Sequence, residues 1–215
     1  MNGLYLVTPD WDDTAALLAR TEEALQAGVA LLQYRHKSAG DTLRRAQAGA
    51  LLALCRRYRT PFIVNDHIEL CLELGADGVH VGGTDASVAH ARAQVGPALI
   101  VGASCYGERA LAVRAAEEGA SYVAYGGFYP SRVKQYAVTT APDIVDWSKQ
   151  TIALPVVVIG GMTPENAAPL VARGADLVAA ISSVYGAPSP GQAASRFGDL
   201  FAGRQRSTLA MRSAL

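Results

Sequence analysis

Short apolar runs alternate with longer amphipathic stretches along most of this 215-residue chain. The runs are nearly continuous, which is typical of parallel strands buried on both faces. Strands are predicted over residues 4–7, 29–33, 62–64, 78–81, 99–101, 122–125, 156–159 and 177–181. Eight strand–helix units favour an α/β fold of one specific kind, a closed (β/α)8 TIM barrel with short loops, over an open doubly wound sheet.

Helices are predicted between these strands because apolar residues recur there at helical spacing and the stretches often end at glycine. The clearest of them cover residues 13–27, 41–58, 86–95, 108–118, 142–149, 164–173 and 192–201. A single barrel domain is expected over residues 1–202, followed by a frayed polar tail over residues 203–215. Residues 126–141 form a loop long enough to act as a lid.

Composition narrows the class of protein. The 19 basic and 19 acidic residues balance, so no surplus of positive charge calls for nucleic acid or an anionic membrane surface as a partner. No stretch approaches the roughly 20 apolar residues of a membrane span. The three cysteines lack metal-ligand spacing, and no signal peptide is evident. We therefore expect a cytoplasmic enzyme with reduced thiols, and a homo-oligomer remains possible.

Polar residues gather where the predicted strands end, which is where barrels of this class place their active sites. The loops after the strands supply Thr8, Gln33, Arg35, Lys37, Asn65, Asp66, Asp85, Ser104, Ser131, Lys134, Gly160, Gly161, Ser182 and Ser183. Three cations and two carboxylates are expected to converge on one mouth of the barrel.

Asp66 and Asp85 follow two successive strands, so their carboxylates are expected side by side. Mg²⁺ commonly uses one or two protein carboxylates, with waters and substrate phosphates as its other ligands. The alternative is that each aspartate simply caps the helix after it, since Asp is a favoured N-cap residue. Two such residues beside cations favour a magnesium site.

Two kinds of anion site are predicted. Arg35, Lys37 and Lys134 suit a diphosphate, although solvated surface charges are the alternative. The paired glycines at 160–161 offer bare backbone N–H groups before a helix, and the serines at 182–183 can add donors, which suits a monophosphate. The alternative for the glycines is a tight turn and nothing more.

A transferase acting on phosphorylated substrates is favoured over a hydrolase. A diphosphate held by cations and a metal is a leaving group whose developing charge can be stabilised electrostatically. No Ser-His-Asp or Cys-His arrangement is apparent among the strand ends.

Several motifs, in order along the chain, resemble the thiamine-phosphate synthase family. They are the opening strand 4–9, Gln-Tyr-Arg-His-Lys at 33–37, Asn-Asp at 65–66, Gly-Ala-Asp-Gly-Val-His-Val-Gly-Gly-Thr-Asp at 75–85, Gly-Ala-Ser at 102–104, Pro-Ser-Arg-Val-Lys at 130–134, Val-Ile-Gly-Gly at 158–161, and the closing motif at 181–187. Any one motif is weak, but the ordered set is specific.

The resemblance implies a reaction and a set of roles. An aminopyrimidine-methyl diphosphate loses pyrophosphate, and the ring nitrogen of a thiazole monophosphate captures the resulting cation. It also implies that Asp66 and Asp85 hold Mg²⁺ and that Gln33 lies against the pyrimidine. The residues implied to hold the diphosphate are Arg35, Lys37, Asn65, Ser104 and Lys134, with Arg35, Ser104 and Lys134 acting in catalysis. Those implied at the loop and thiazole-phosphate side are Ser131, Gly161, Ser182 and Ser183.

Three positions depart from the family pattern. His36 stands where a Glu is usual, Val133 replaces one hydroxyl residue of the lid motif, and Tyr106 stands where a His is frequent. A related barrel, the thiazole tautomerase, is understood to rely on a His in that last region, so Tyr106 and the two aspartates favour the synthase. A tautomerase-like isomerase and a non-catalytic barrel that binds thiazole or thiamine phosphates remain the alternatives.

Overall fold

Eight parallel strands close into a barrel in which each strand pairs with its sequence neighbours and the last pairs with the first. The computed structural model describes residues 1–82, 87–130 and 140–212, with the backbone alone for 203–212. The strands are β1 (Gly3–Val7), β2 (Leu31–Tyr34), β3 (Phe62–Asn65), β4 (Gly78–Val81), β5 (Ile100–Tyr106), β6 (Tyr122–Tyr125), β7 (Val156–Ile159) and β8 (Leu177–Ala180). The predicted (β/α)8 barrel is confirmed.

Helices follow the strands and form the outer layer. They are α1 (Thr14–Gln26), α2 (Asp41–Tyr58), α3 (Ile68–Leu74), α4 (Val88–Val95), α5 (Arg109–Glu117), α6 (Asp143–Thr151), α7 (Pro164–Ala172), α8 (Ser182–Tyr185) and α9 (Pro190–Arg212). The short helix α8 was not predicted. Helix α9 continues to Arg212, so the predicted end of this helix near residue 201 was wrong, and the helix enters the segment expected to be a tail.

Strand β5 also differs from prediction, because it extends to Tyr106 and not to Val101. Gly102 and Ser104 resembled turn residues in the sequence, yet both pair with β6 inside the sheet. Glycine is needed at 102 because an added Cβ would overlap the phenol of Tyr122. A packing requirement was therefore mistaken for a turn.

The core has two compartments, as the near-continuous apolar strands require. The larger compartment lies between the sheet and the helices and includes Leu4, Leu6 and Leu32. The smaller one fills the barrel interior with Tyr5, Val7, Leu31, Ile63, Tyr122, Ala124, Val157, Leu177 and Ala179. Side chains alternate between the two along each strand. An inward-pointing polar residue thus enters a space that other side chains almost fill.

A repeated polar contact joins successive strands at their N-terminal ends. The carboxylate of Asp77, just before β4, accepts a hydrogen bond from the backbone N–H of Phe62 (2.7 Å). Asp176, just before β8, accepts in the same way from Val156 (2.8 Å), and Ser121 accepts from Val101 (3.0 Å). Each contact satisfies a backbone donor at the first residue or start of an odd-numbered strand. They stabilise the closed barrel at the end opposite the mouth.

The buried thiols agree with the expectation of reduced cysteines. Cys55, Cys71 and Cys105 are free and buried. Burial raises the pKa of Cys55 and of Cys105 to about 12 and that of Cys71 to about 11, so the thiols stay protonated near neutral pH. Within the described residues, no helix combines the length and apolar character needed to cross a membrane.

We predict that Asp176→Ala lowers the free energy of unfolding by about 2 kcal/mol, because it leaves the Val156 N–H without its charged acceptor. Asp146→Ala is the matched control, since its carboxylate pairs with Arg173 on the protein surface and such pairs are worth about 0–1 kcal/mol. Urea unfolding of both variants measures the difference. Equal losses would show that the contact to Val156 contributes nothing specific.

Candidate active site

A cavity of about 370 Å³ opens at the C-terminal ends of the strands. The predicted residues that line it are Gln33, Arg35, Lys37, Asn65, Asp66, Ser104, Gly160, Gly161, Ser182 and Ser183. Asp85, Ser131 and Lys134 lie outside the described residues, as does Val133. Apart from Thr8, the structure thus brings together every described residue of the strand-end list, from strands or loops at β2, β3, β5, β7 and β8.

Arg35 reaches the cavity already paired with a carboxylate that the sequence did not point to. One guanidinium nitrogen of Arg35 lies 3.1 Å from Oδ1 of Asp10, and the same oxygen accepts a hydrogen bond from the backbone N–H of Lys37 (3.0 Å). Thr8, which is fully buried, exchanges hydrogen bonds with the backbone N–H and C=O of Arg35. Asp10 and Thr8 therefore fix the position of the Arg35–Lys37 segment rather than facing a ligand themselves.

His36 points away from the cavity. Its side chain is 1% exposed, and its Nε2 lies 3.0 Å from a carboxylate oxygen of Asp12. The imidazole connects the loop after β1 to the loop after β2. The departure from the family's usual Glu at this position therefore changes a loop contact and not the cavity wall.

Asp66 lies on the cavity wall in an unusual backbone conformation. Its φ is +63°, a region that non-glycine residues adopt rarely and often at functional sites. Its carboxylate accepts a hydrogen bond from the side-chain amide of Asn65 (2.5 Å). Its backbone N–H donates to the carbonyl of His80 on the neighbouring strand (2.9 Å). These contacts hold the carboxylate beside the end of β4.

The helix-cap interpretation of Asp66 was wrong. Helix α3 has His67 at its N-cap, with no side-chain cap hydrogen bond. Helix α4 has Ser87 at its N-cap, and the Ser87 hydroxyl accepts from the N–H of His90 (3.2 Å). Asp66 therefore does not occupy the capping position of α3. Asp85 lies outside the described residues, and its cap interpretation stays an alternative.

The donor set at this wall fits Mg²⁺. The described residues contain no cluster of three or more His, Cys, Asp or Glu side chains, which would indicate a site made of protein ligands alone. A single carboxylate at 66, with Asp85 following the adjacent strand, matches the one or two carboxylates that Mg²⁺ uses when phosphates complete its ligands. Hard oxygen donors and no thiolate line this wall.

The part of the cavity wall that follows β7 and β8 is neutral, in contrast to the charged wall around Asp66. Gly160 and Gly161 have φ values of +106° and +62°, and an added Cβ at Gly161 would overlap the carbonyl oxygen of Pro130. Only glycine suits this turn, which leaves backbone groups bare at the cavity. The hydroxyl of Ser183 is buried and has no hydrogen-bond partner among the described residues. Neutral donors, and no charged side chain, dominate this part of the wall.

Three polar side chains of the barrel interior were missed by sequence reasoning. Tyr5 and His80 are buried residues that line the cavity, Tyr122 is buried in the barrel interior, and His80 hydrogen-bonds Ser104 (2.9 Å). His80 was not among the candidate residues taken from the strand ends. The available signal was its place in the strand Gly78–Val81, where alternation with Val79 and Val81 points it inward.

Known proteins share both the sequence and this architecture. The family model described as thiamine monophosphate synthase matches residues 4–184. A thiamine-phosphate synthase of Janthinobacterium sp. (strain Marseille) is 64% identical over 94% of this chain and 98% of the relative. Another, from Thiobacillus denitrificans, is 49% identical over 93% and 95%. The chain belongs to the thiamine monophosphate synthase family.

A solved structure agrees with this membership. A thiamine phosphate pyrophosphorylase from Pyrococcus furiosus superposes with a TM-score of 0.81 at 29% identity, covering 92% of this chain and 94% of that one. The family resemblance seen in the motifs is confirmed. So is the prediction of an enzyme, a transferase of thiamine biosynthesis that acts on small phosphorylated substrates.

Of the two departures from the family pattern that lie within the described residues, His36 and Tyr106, Tyr106 is the one that lines the cavity. It ends β5 with a φ of +52°, just after the register between β5 and β6 shifts. The position that a tautomerase is understood to give to a His is thus filled here by a phenol. A phenol is a much weaker base than imidazole near neutral pH.

We predict that Asp10→Ala lowers kcat/KM for the diphosphate substrate of the family by about tenfold, because Arg35 and Lys37 lose the carboxylate that positions them. Asp12→Ala is the matched control. It removes the same charge from the same loop, where Asp12 contacts His36 and not Arg35. Steady-state kinetics compare the two variants. A rise in kcat/KM for Asp10→Ala would mean that Asp10 opposes the substrate's charge and does not position the cations.

Proposed function

We propose that the chain joins 4-amino-2-methyl-5-pyrimidinylmethyl diphosphate to a thiazole monophosphate, giving thiamine phosphate and pyrophosphate. The observation that carries the proposal is one cavity with two unlike anion-binding walls: the Arg35, Lys37, Asn65 and Asp66 wall, and the glycine-serine wall after β7 and β8. A charged wall suits the diphosphate, and a neutral backbone cup suits the monophosphate. Apolar side chains that also line the cavity, among them Val157 and Ile159, suit the faces of the two rings.

In the proposed reaction the bond between the methylene carbon and the diphosphate oxygen breaks first, and its electron pair leaves with pyrophosphate. The lone pair of the thiazole nitrogen then forms the new carbon–nitrogen bond. No protein nucleophile is required. The protein's contribution is to hold both substrates in line and to stabilise the charge of the leaving group.

We propose a role for each of the candidate side chains. Arg35 and Lys37, with Lys134 from the loop outside the described residues, are proposed to bind the diphosphate. Asn65 and Ser104 are proposed to donate hydrogen bonds to it, with Ser131 assisting from the same loop as Lys134. Gln33, 4% exposed and on the cavity wall, is proposed to contact the pyrimidine. Arg35, Ser104 and Lys134 are the groups proposed to act on the departing oxygen.

Asp66 and Asp85 are proposed to hold Mg²⁺. When bound, the ion would supply positive charge to the diphosphate oxygens. The side-chain amide of Asn65 orients the Asp66 carboxylate through the hydrogen bond between them. We also infer a cytoplasmic location, which the buried, free and protonated thiols support.

We predict that the protein mixed with the pyrimidine diphosphate, thiazole phosphate and Mg²⁺ forms thiamine phosphate, and that Asp66→Ala lowers the rate at least about a hundredfold. Glu69→Ala is the control, because Glu69 is an acidic residue of helix α3 that does not line the cavity. Product is measured by chromatography with and without a chelator. Full activity in Asp66→Ala would show that the Asp66 carboxylate is not needed for the reaction.

Two further measurements separate the alternatives: incubation of the protein with a thiazole carboxylate phosphate in place of the thiazole phosphate, and titration with the thiazole phosphate alone. Isomerisation of a thiazole carboxylate phosphate with no joining of the two rings would identify a tautomerase. Tight binding of thiazole phosphate with no turnover of either kind would identify a binding protein.

We predict that Ser183→Ala weakens binding of the thiazole phosphate by about tenfold, since the phosphate loses a hydroxyl donor. The free protein should be no less stable, because the Ser183 hydroxyl is buried without a partner among the described residues. Calorimetric titration and thermal unfolding measure the two effects. A less stable protein with unchanged phosphate affinity would show that the serine serves packing alone.

A further inference from the structure

A row of hydrogen bonds crosses the barrel interior and joins two residues of the cavity wall. The side-chain nitrogen of Gln33 donates to the hydroxyl of Tyr5 (2.6 Å), which lies 2.6 Å from the hydroxyl of Tyr122. The Tyr122 hydroxyl lies 2.9 Å from Nδ1 of His80, and Nε2 of His80 lies 2.9 Å from the hydroxyl of Ser104. The row begins and ends at groups proposed to contact substrate.

Both phenols in the middle of this row remain neutral. Tyr5 and Tyr122 are each 1% exposed, and burial raises the pKa of both well above the ordinary value for a tyrosine. Each hydroxyl therefore has one proton to donate, and each can accept another hydrogen bond in return. In a space without bulk water, every such group is expected to be paired.

The direction of one hydrogen bond sets the direction of all the others. Since Gln33 donates to Tyr5, the Tyr5 proton points to Tyr122, and the Tyr122 proton points to Nδ1 of His80. Nδ1 must then be the bare nitrogen of a neutral imidazole, so Nε2 carries the proton and donates to Ser104. The proton of the Ser104 hydroxyl is left to point into the cavity.

Two glycines provide the space that the row needs. Gly102 lies between His80 and Tyr122 in the register of the sheet. An added Cβ at Gly102 would overlap the Tyr122 hydroxyl and Nδ1 of His80. An added Cβ at Gly82 would overlap the side chain of Ser104. Rings stack at the same place, with the His80 and Tyr122 centroids 5.6 Å apart. The contact between these rings is thus constrained on several sides.

We propose that this row fixes the hydrogen-bond polarity of the active site: it holds the Ser104 hydroxyl as a donor towards the cavity and leaves the Gln33 carbonyl as an acceptor there. Tyr5, Tyr122 and His80 act as positioning residues, and no proton is transferred along the row. The usefulness of this polarity rests on the proposed function. A hydroxyl donor stabilises the oxygen that gains charge as pyrophosphate leaves, and a carbonyl acceptor stabilises the amino group of the pyrimidine as the ring becomes cationic.

The proton position on His80 tests the row without any assay of activity. In ¹⁵N NMR spectra of the labelled protein, a protonated ring nitrogen is distinguished from a bare one by its shift. The His80 signals are identified by their loss in His80→Asn. We expect Nε2 protonated and Nδ1 bare at pH 8, with Tyr122→Phe converting this single form into a mixture. A proton on Nδ1 in the unmodified protein would reverse the row and overturn the proposal.

A double-mutant cycle tests whether Tyr122 acts through Ser104. Tyr122→Phe should lower kcat about tenfold, the effect of one lost hydrogen bond, with a smaller change in KM. The same substitution in a Ser104→Ala background should lower it less than about twofold, because the group it positions is gone. Equal effects in both backgrounds would make Tyr122 a packing residue only.

Tyr125→Phe is the matched control for this cycle. Tyr125 lies on the same strand, is also buried, and bonds Ser148 among the helices and not the row. It should leave kcat unchanged. If the His80 spectrum is as expected and no thiamine phosphate forms, the row stands and the proposed reaction is wrong.

Discussion

The hydrogen bond between Tyr5 and Tyr122 spans the inside of the barrel, from β1 to β6. Its 2.6 Å length and the perpendicular packing of the two rings follow from one constraint. A closed parallel barrel excludes water from its interior, so a polar group that points inward must bond to another polar group. Every polar residue at the base of the cavity is consequently tied to the others, and the base acts as one rigid unit.

The upper part of the site obeys a different rule. Arg35, Lys37 and the glycines at 160–161 come after their strands, where the loops can place cations and bare backbone around phosphate groups. Arg35 still depends on the loop after β1, because Asp10 holds its guanidinium. The rings of the two substrates are thus expected to contact residues of the strands, and their phosphate groups are expected to contact residues of the loops. The division separates recognition of the organic part of each substrate from recognition of its charge.

Much of the fold could be predicted because the buried strands leave a simple periodic signal. The candidate ligands could be predicted as well, since the fold class places strand ends at one mouth. Contacts between particular side chains could not be predicted. Asp10 and Arg35, for example, are 25 residues apart in the sequence and meet only because two loops pack together. Gly102 misled for a related reason: glycine permits both a turn and a close approach, and only the presence of Tyr122 decides between them.

Departures from the family pattern must likewise be judged by where each side chain points. His36 and Tyr106 both replace residues that are frequent in the family, yet His36 bonds Asp12 outside the cavity while Tyr106 lines it. A substitution at position 36 changes a contact with Asp12 in the neighbouring loop. A change at 106 acts on the cavity itself, two residues beyond Ser104. Tyr106 therefore bears on the choice of reaction, since a phenol there leaves the site without the imidazole base that tautomerisation is understood to use.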